Sequence, residues 1–442
     1  MVSAEAKIRI FSLAIAVVVV LGFFAAGYAV MNKYSLKQAN TNAGTIKIGC
    51  TYYTQGPLAG ASQEIANGLK LWASQANKIG INVAGKIYGV QVVCKKLPQP
   101  TALQASLTYN ALVQNDKVDY LVGPAGNDLS AAAGQVAEGY RKLMIFTLQD
   151  DEGYFVTYKP QYEFQIMTPM AGQVETLLSA VKFIDKNITN VVVVYENTTY
   201  SSYAEKTIES VLSATKGFRL VKVFSFQPNS DPAPIAGSIA TQRLNPNLVV
   251  VVGVDGDKIT NLVSALKHQG LTTLRLIAVI APPTALTSLE KHPNTANGII
   301  YVSQWEPIEP FNPFMAKNLS VEWYGYATPD TFTQDYLKMY GDTPDYYAAL
   351  GYEAGLIIQA ALEKAESLDS SVLKDTINNM RIMTFYGIVG FQDSKYYPGG
   401  YHGAQAAHQT LIVQFQLVKG HLVKQVVYPT ELATGKPVYP VK

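Results

Sequence analysis

From Thr45 onward the chain alternates short apolar runs with helical patterns, and this alternation restricts the fold more than any other feature. Apolar or β-branched runs fall at 46–50, 90–94, 118–123, 143–147, 191–195, 219–225, 248–253, 275–281 and 298–303. Val191–Val194 and Val249–Val252 contain no polar residue. A strand with one face in water alternates polar and apolar side chains, whereas a strand covered on both faces reads as an unbroken apolar run. Between the runs, Ile65, Leu69, Trp72 and Ala76 recur at helical spacing and form one stripe. Leu103, Leu107, Leu112 and Val113 predict the next helix, and 174–183, 208–212 and 259–266 predict others. Strands alternating with helices predict an α/β fold of parallel sheets with right-handed crossovers. The runs are too many for one comfortable sheet, and 442 residues are too many for one ordinary core. Two lobes, each with its own sheet, are therefore expected.

Beyond residue 345, "YYAALGYEAGLIIQAALEKAES" predicts a long helix ending near Asp369. A strand-rich tail follows, in which Lys419-Gly420 between two strand-like runs predicts a hairpin turn.

Residues 10–31 carry no charge, and roughly 20 apolar residues suffice for a helix to cross a bilayer. The stretch reads as a membrane anchor. The competing reading is a signal segment cleaved after Ala29, with Gly27 and Ala29 as the small residues. Lys7 and Arg9 precede the run, which keeps the N-terminus in the cytoplasm and puts the rest of the chain outside the cell. No cysteine follows at lipobox spacing. Residues 32–44 are polar and aperiodic, and read as a linker.

Three sequons, at Asn187, Asn197 and Asn318, fit an external location. The two cysteines, Cys50 and Cys94, each fall at the end of a predicted strand. Outside the cell a disulfide between them is expected; two buried thiols are the alternative. Charged residues make up only 15% of the chain, and 35 basic against 33 acidic side chains leave a net charge of +2. That balance excludes steering to a polyanion, so no nucleic-acid partner is expected.

The stretch "YTQGPLAG", Tyr53 to Gly60, turns the first strand into the first helix. Gly56 permits a tight turn and Pro57 presets φ at the entry. Free amides at a helix start can face a polar ligand group. Thr54 and Gln55 at this corner are candidate ligand contacts, and a purely structural turn is the other reading.

The order of these segments resembles the substrate-binding proteins of ABC importers, in particular the branched-chain amino acid-binding family. The resemblance is carried by "IKIG", "TQGPLAGASQEIANGLKLWASQAN", "DKVDYLVGP", "AAAGQVAEGYRKLMIFT", "NVVVVYENTTYSSYAEKTIESVL", "PNLVVVVG", "GIIYVSQWEP", "MTFYGIVGFQD" and "VVYPTELATGKPVYP". It implies a type I periplasmic-binding fold, with two Rossmann-like lobes of parallel sheet joined by a three-crossover hinge. The expected division is 1–31 anchor or signal, 32–44 linker, 45–163 plus 290–385 first lobe, and 164–289 plus 386–442 second lobe. The ligand would lie in the cleft, at the carboxyl ends of the strands.

Carried over by position, the family's ligand-contacting hydroxyl in the third loop falls on Asn127 or Asp128. The next falls on Thr147, Leu148 or Gln149. Asp128 would repel a ligand carboxylate at short range; alternatively it caps a helix beginning at Leu129. Tyr200 stands where the family places an aromatic that closes over the ligand, with Ser201 in place of the usual glycine. The loop after "VVVVG" offers Asp255 or Asp257. Ala281, Pro282, Pro283 and Thr284 stand where amino acid binders put an acid for the ammonium, so only Asp255 could substitute. Both departures point away from a standard α-amino acid and leave open a neutral polar solute, an amide, a sugar-like compound or a small peptide.

The five histidines show no metal-ligand spacing, and no phosphate-binding glycine motif or Gly-x-Ser-x-Gly elbow occurs. Asp150 and Asp151 read as a solvated loop. No metal, cofactor or catalysis is therefore expected. The expected function is capture of a small polar, amino acid-like or amide-like solute and its delivery to ABC permease and ATPase subunits. The binder would be a monomer, held to the outer face of the membrane or secreted. The alternative is a ligand-sensing receptor module of the same fold.

Overall fold

The computed structural model describes residues 43–391 and 403–441. The apolar run at 10–31, read as anchor or signal, lies outside the described residues. No helix among the described residues is long and apolar enough to cross a membrane.

The first sheet is built from β1 (Thr45–Tyr52), β2 (Ile81–Val83), β3 (Lys86–Lys96), β4 (Tyr120–Val122), β5 (Met144–Phe146) and β6 (Glu163–Gln165). Its order is β2-β3-β1-β4-β5-β6. All pairs are parallel except β2 with β3. Then come β7 (Asn190–Glu196), β8 (Arg219–Phe226), β9 (Leu248–Val252), β10 (Leu276–Ile280) and β11 (Ile300–Ser303). The last strands are β12 (Glu322–Trp323), β13 (Arg381–Thr384), β14 (Gly387–Gly390), β15 (Leu411–Val418) and β16 (His421–Tyr428). The second sheet has the order β16-β15-β11-β10-β9-β7-β8, and β12, β13 and β14 pair among themselves. Parallel strands form the body of the second sheet, with the hairpin β15–β16 added antiparallel at one edge. Lys419 and Gly420, both with positive φ, make the predicted turn of that hairpin.

Helices cover both sheets, which is why every residue of β9 and β10 is buried. The nine predicted strands are all present. β2, β6, β12 and β13 are additional short strands that leave no unbroken apolar run in the sequence. β11 hydrogen-bonds to β10 and β15, so the chain returns to the first half after Ser303 and not near residue 290. Likewise β6 keeps residues up to Gln165 in the first sheet.

The predicted stripe Ile65, Leu69, Trp72 and Ala76 is fully buried on the helix Ala59–Ile79. It packs on the helix Tyr346–Ala365, with Trp72 Nε1 donating to Gln359 Oε1 at 3.0 Å. That second helix stops earlier than predicted. Glu366 adopts a left-handed conformation, and Asp369 then caps a separate helix, Ser370–Asn379, by accepting from Ser371 N at 2.8 Å. In the helix Ala102–Gln114 the core face is Ala105, Tyr109 and Leu112, while Leu103 and Leu107 are exposed.

Cys50 and Cys94 face each other in register on β1 and β3, with Cα atoms 4.4 Å apart, and are joined as a disulfide. The sequence separation of 44 residues gives a loop-closure contribution of about 4 kcal/mol. A chain carrying Cys50→Ala and Cys94→Ala is expected to unfold at a correspondingly lower Tm. An unchanged Tm would show that the bond contributes nothing in solution.

Candidate functional site

The two sheets present their carboxyl ends to a cavity of about 1030 Å³. Its wall comes from the segments that follow the strands. Ala125–Leu129 follow β4, Leu148, Asp150 and Asp151 follow β5, and Met167 follows β6. From the other half, Thr198–Tyr200 follow β7, Val254 follows β9, Ala281 and Pro282 follow β10, and Gln304 follows β11. Ligands of open α/β sheets bind at such strand ends, because the loops there are free of sheet pairing and the helix starts present unbonded amides.

Of the candidate contacts, Asn127, Asp128, Leu148 and Tyr200 lie in the wall. Asn127 and Asp128 open the helix Asn127–Tyr140, whose N-cap is Gly126 at φ 108 with no side-chain cap. Asp128 is therefore an exposed first-turn residue, not the cap of a helix starting at Leu129. Asn127 reaches across to the loop after β5. Its Nδ2 donates to Asp150 Oδ1 at 3.0 Å, and its Oδ1 accepts from Asp150 N at 3.2 Å. Tyr200 sits in the first turn of the helix Thr199–Ala214, where Thr198 Oγ1 accepts from Ser201 N at 3.2 Å.

The other candidates lie outside the wall. Thr54 and Gln55 are exposed, because Gly56 at φ 91 reverses the chain and turns Pro57 and Leu58 toward the cavity. Thr147 and Gln149 are fully buried behind the wall. Thr147 Oγ1 donates to Gly123 O at 3.3 Å, and Gln149 Oε1 accepts from Asp151 N at 3.1 Å. Asp255 caps the helix Gly256–His268 through Asp257 N and Lys258 N, and forms a 2.8 Å salt bridge with Lys258 Nζ.

The segment after β5 explains why 147 and 149 miss the cavity. It continues extended, with a bridge between Leu148 and Ala125. Side chains alternate along an extended chain, so Leu148 and Asp150 face the cavity while Thr147 and Gln149 face inward. Asp150 is therefore not part of a solvated loop. It is only 4% exposed, with Gln173 Nε2 donating to its Oδ2 at 3.4 Å. Asp151 accepts from Gly153 N at 2.8 Å as a helix cap.

Tyr53, Tyr203, Tyr346 and Tyr347 complete an aromatic wall that sequence reading does not identify. Tyr53 is placed by its hydroxyl, which donates to Ala125 O at 2.9 Å. Tyr203 donates to Asp150 O at 3.5 Å, a contact between the two halves. Tyr346 and Tyr347 start a helix capped by Asp345, whose Oδ1 accepts from Tyr347 N at 2.8 Å. Burial, then the charge of Asp150, pushes the Tyr200 phenol well above its ordinary range. Tyr346 and Tyr347 are raised chiefly by burial as well. All three are neutral phenols that can donate hydrogen bonds.

The chain passes between the sheets three times, after β6, β11 and β14. The passage after β14 includes 392–402, outside the described residues. The strands of this junction are tied to one another. Gln304 Oε1 accepts from Thr168 N at 3.1 Å, and Gln304 O accepts from His408 Nε2 at 2.8 Å. Gln405 Nε2 donates to Ile166 O at 3.2 Å. Burial pushes the His408 imidazole down to about 4, so it is neutral.

Solved structures share this arrangement. The substrate-binding protein of an ABC transporter from Sphaerobacter thermophilus superposes with a TM-score of 0.70 at 15% identity, over 87% of this chain and 97% of that one. A solute-binding protein from Rhodopseudomonas palustris in complex with p-hydroxybenzoic acid gives 0.67 at 16%, over 89% and 97%. The branched-chain amino acid-binding LivJ from Streptococcus pneumoniae, in complex with isoleucine, gives 0.64 at 19%, over 87% and 100%. At these identities the likeness is one of fold. The sequence itself matches the family model described as periplasmic binding protein over residues 45–416. That span takes in the whole first sheet, the parallel strands of the second and every loop that lines the cavity, and the chain belongs to the periplasmic binding protein family.

Proposed function

We propose that this chain is the extracytoplasmic solute-binding component of an ABC importer. The carrying observation is the cavity of about 1030 Å³, walled by loops from both sheets at their carboxyl ends. A solute would dock on one half and be covered by the other as the tied junction flexes. Tyr200 and Tyr203 on one side, and Asn127, Asp150 and Tyr346 on the other, would contact it. The closed form would then be the one recognised by permease and ATPase subunits. The apolar run at 10–31 would hold the protein at the outer face of the membrane. The role needs no bond making or breaking, so the chain would carry no catalysis. The half built on the first sheet would comprise 45–165 with the segment after Ser303, and the other half 166–303 with the C-terminal hairpin.

The test is a thermal-shift panel of amino acids, amides, sugars, short peptides and amines on the full-length chain. A true solute at a hundred times its Kd is expected to stabilise the folded state by about 2.7 kcal/mol. It should also shrink the radius of gyration in small-angle scattering. Tyr200→Ala is expected to weaken binding by about tenfold or more. If no compound shifts the Tm and the scattering stays fixed, the solute-binding reading fails.

A further inference from the structure

We infer that the cleft takes a small organic cation, an amine or quaternary ammonium compound without a carboxylate, seated between Asp150 and the rings of Tyr200, Tyr346 and Tyr347. This inference rests on the solute-binding reading and narrows it to a chemical class.

The charge of the wall is one-sided. Among the described residues lining the cavity, Asp128, Asp150 and Asp151 are acidic, and none is lysine, arginine or histidine. A carboxylate entering this space would lose hydration and find no cationic side chain among the described lining residues, with only the amides of the helix starts to receive it. An ammonium would meet opposite charge, in surroundings where partial exclusion of water strengthens the attraction.

The second observation is the ring surface. Five lining residues are tyrosines, contributed by both halves. The face of a phenol ring carries the negative part of its quadrupole and attracts a cation lying within about 6 Å. Tyr346 and Tyr347 stand 4.6 Å apart at 65°, so they offer two differently directed surfaces. Tyr200 approaches from the opposite half. Asp150 and all three tyrosines line the same cavity.

The carboxylate is also placed in advance. Asn127 Nδ2 and Gln173 Nε2 hold its two oxygens. These amides orient the group. A group already oriented loses little freedom when the ligand arrives.

The experiment uses calorimetric titration of the full-length chain with isosteric pairs of opposite charge. The pairs are benzylamine against benzoate and isopentylamine against isovalerate. Tetramethylammonium, leucine, propionamide and glucose complete the set. Within each pair the amine is expected to bind about a hundredfold more tightly than the acid. Asp150→Asn and Tyr200→Leu are each expected to weaken benzylamine binding by about tenfold, while Tyr200→Phe, which keeps the ring, retains it. Binding of benzoate, isovalerate, leucine, propionamide or glucose in preference to the amines overturns the inference and leaves the solute-binding reading intact. Binding of none of the compounds, with no scattering change across the wider panel, overturns both. The wild-type pairs decide the matter even if a variant fails to fold.

Discussion

Gly351→Val is expected to leave the chain unable to fold to its native state. A Cβ at Gly351 would lie 2.0 Å from Ile65 O, a backbone atom that cannot swing aside. The contact is reciprocal: a Cβ at Gly68 would lie 1.9 Å from Ala348 O, and one at Gly355 would lie 2.1 Å from the Trp72 ring. The helices Ala59–Ile79 and Tyr346–Ala365 thus touch at the backbone, and any side chain between them forces them apart. Separation would uncover the stripe of Ile65, Leu69 and Trp72 and break the bond from Trp72 to Gln359. Overpacking a close contact typically costs about 1–3 kcal/mol, and a rigid backbone partner puts this case above about 3 kcal/mol. Tm and soluble yield measure it. Gly139→Ala is the control, since nothing lies within 4 Å of its Cβ position. That change should stabilise the helix Asn127–Tyr140 by up to about 1 kcal/mol. A Gly351→Val chain with the wild-type Tm would refute the close approach.

The second large effect concerns pH. Glu353 lies in the same core helix, with no exposed surface. Its Oε2 accepts from Thr384 Oγ1 at 2.8 Å, and its Oε1 has no partner among the described residues. Burial raises its carboxyl from 4.5 to about 8, against the lowering effect of the Thr384 bond. Glu163 is raised to about 8 chiefly by burial, with its Oε2 accepting from Tyr154 at 2.7 Å. A raised carboxyl binds its proton more tightly in the folded state than in the unfolded one. Its stabilisation is complete below the unfolded value of 4.5 and disappears as pH rises toward 8. His408 acts in the opposite sense. Held down to about 4, it costs stability once pH falls below 6.5. Two carboxyls displaced further outweigh one imidazole, so stability is expected to fall between about pH 5 and pH 8. A tenfold difference in proton affinity is worth about 1.4 kcal/mol, so each carboxyl contributes on the order of 4 kcal/mol.

Glu353→Gln keeps the shape and removes the titration. This variant should be more stable than the wild type at about pH 8 and show a flatter dependence of the urea midpoint on pH. A slope equal to that of the wild type would mean that Glu353 does not hold its proton at neutral pH.

The fold is legible in the sequence wherever burial leaves a pattern. Strands covered on both faces must be apolar throughout, so β7, β9 and β10 announce themselves as Val and Ile runs. The helix stripe from Ile65 to Ala76 does the same at a different period. Short edge strands such as β2 and β6 leave no such trace. The expected boundary between the halves falls in the wrong place because β11 is as apolar as its neighbours, and only its hydrogen bonds to β10 and β15 say which sheet it joins.

For the site, the chain order of strand and loop determined that the cavity would lie beyond β4, β5 and β7, and it offered Asn127, Asp128 and Tyr200, with Leu148 as one of three choices after β5. Tertiary structure alone decided the rest. In the segment after β5, which of two alternating sets faces the cavity depends on a bridge to Ala125, and one residue of phase exchanges Thr147 and Gln149 for Leu148 and Asp150. Tyr346 and Tyr347 line the same cavity as Asp150 and Tyr200 only because a helix distant in sequence packs backbone to backbone on the first helix. Local periodicity records what each segment buries, but contacts between distant segments are set by how the buried faces fit together, and no single segment carries that information.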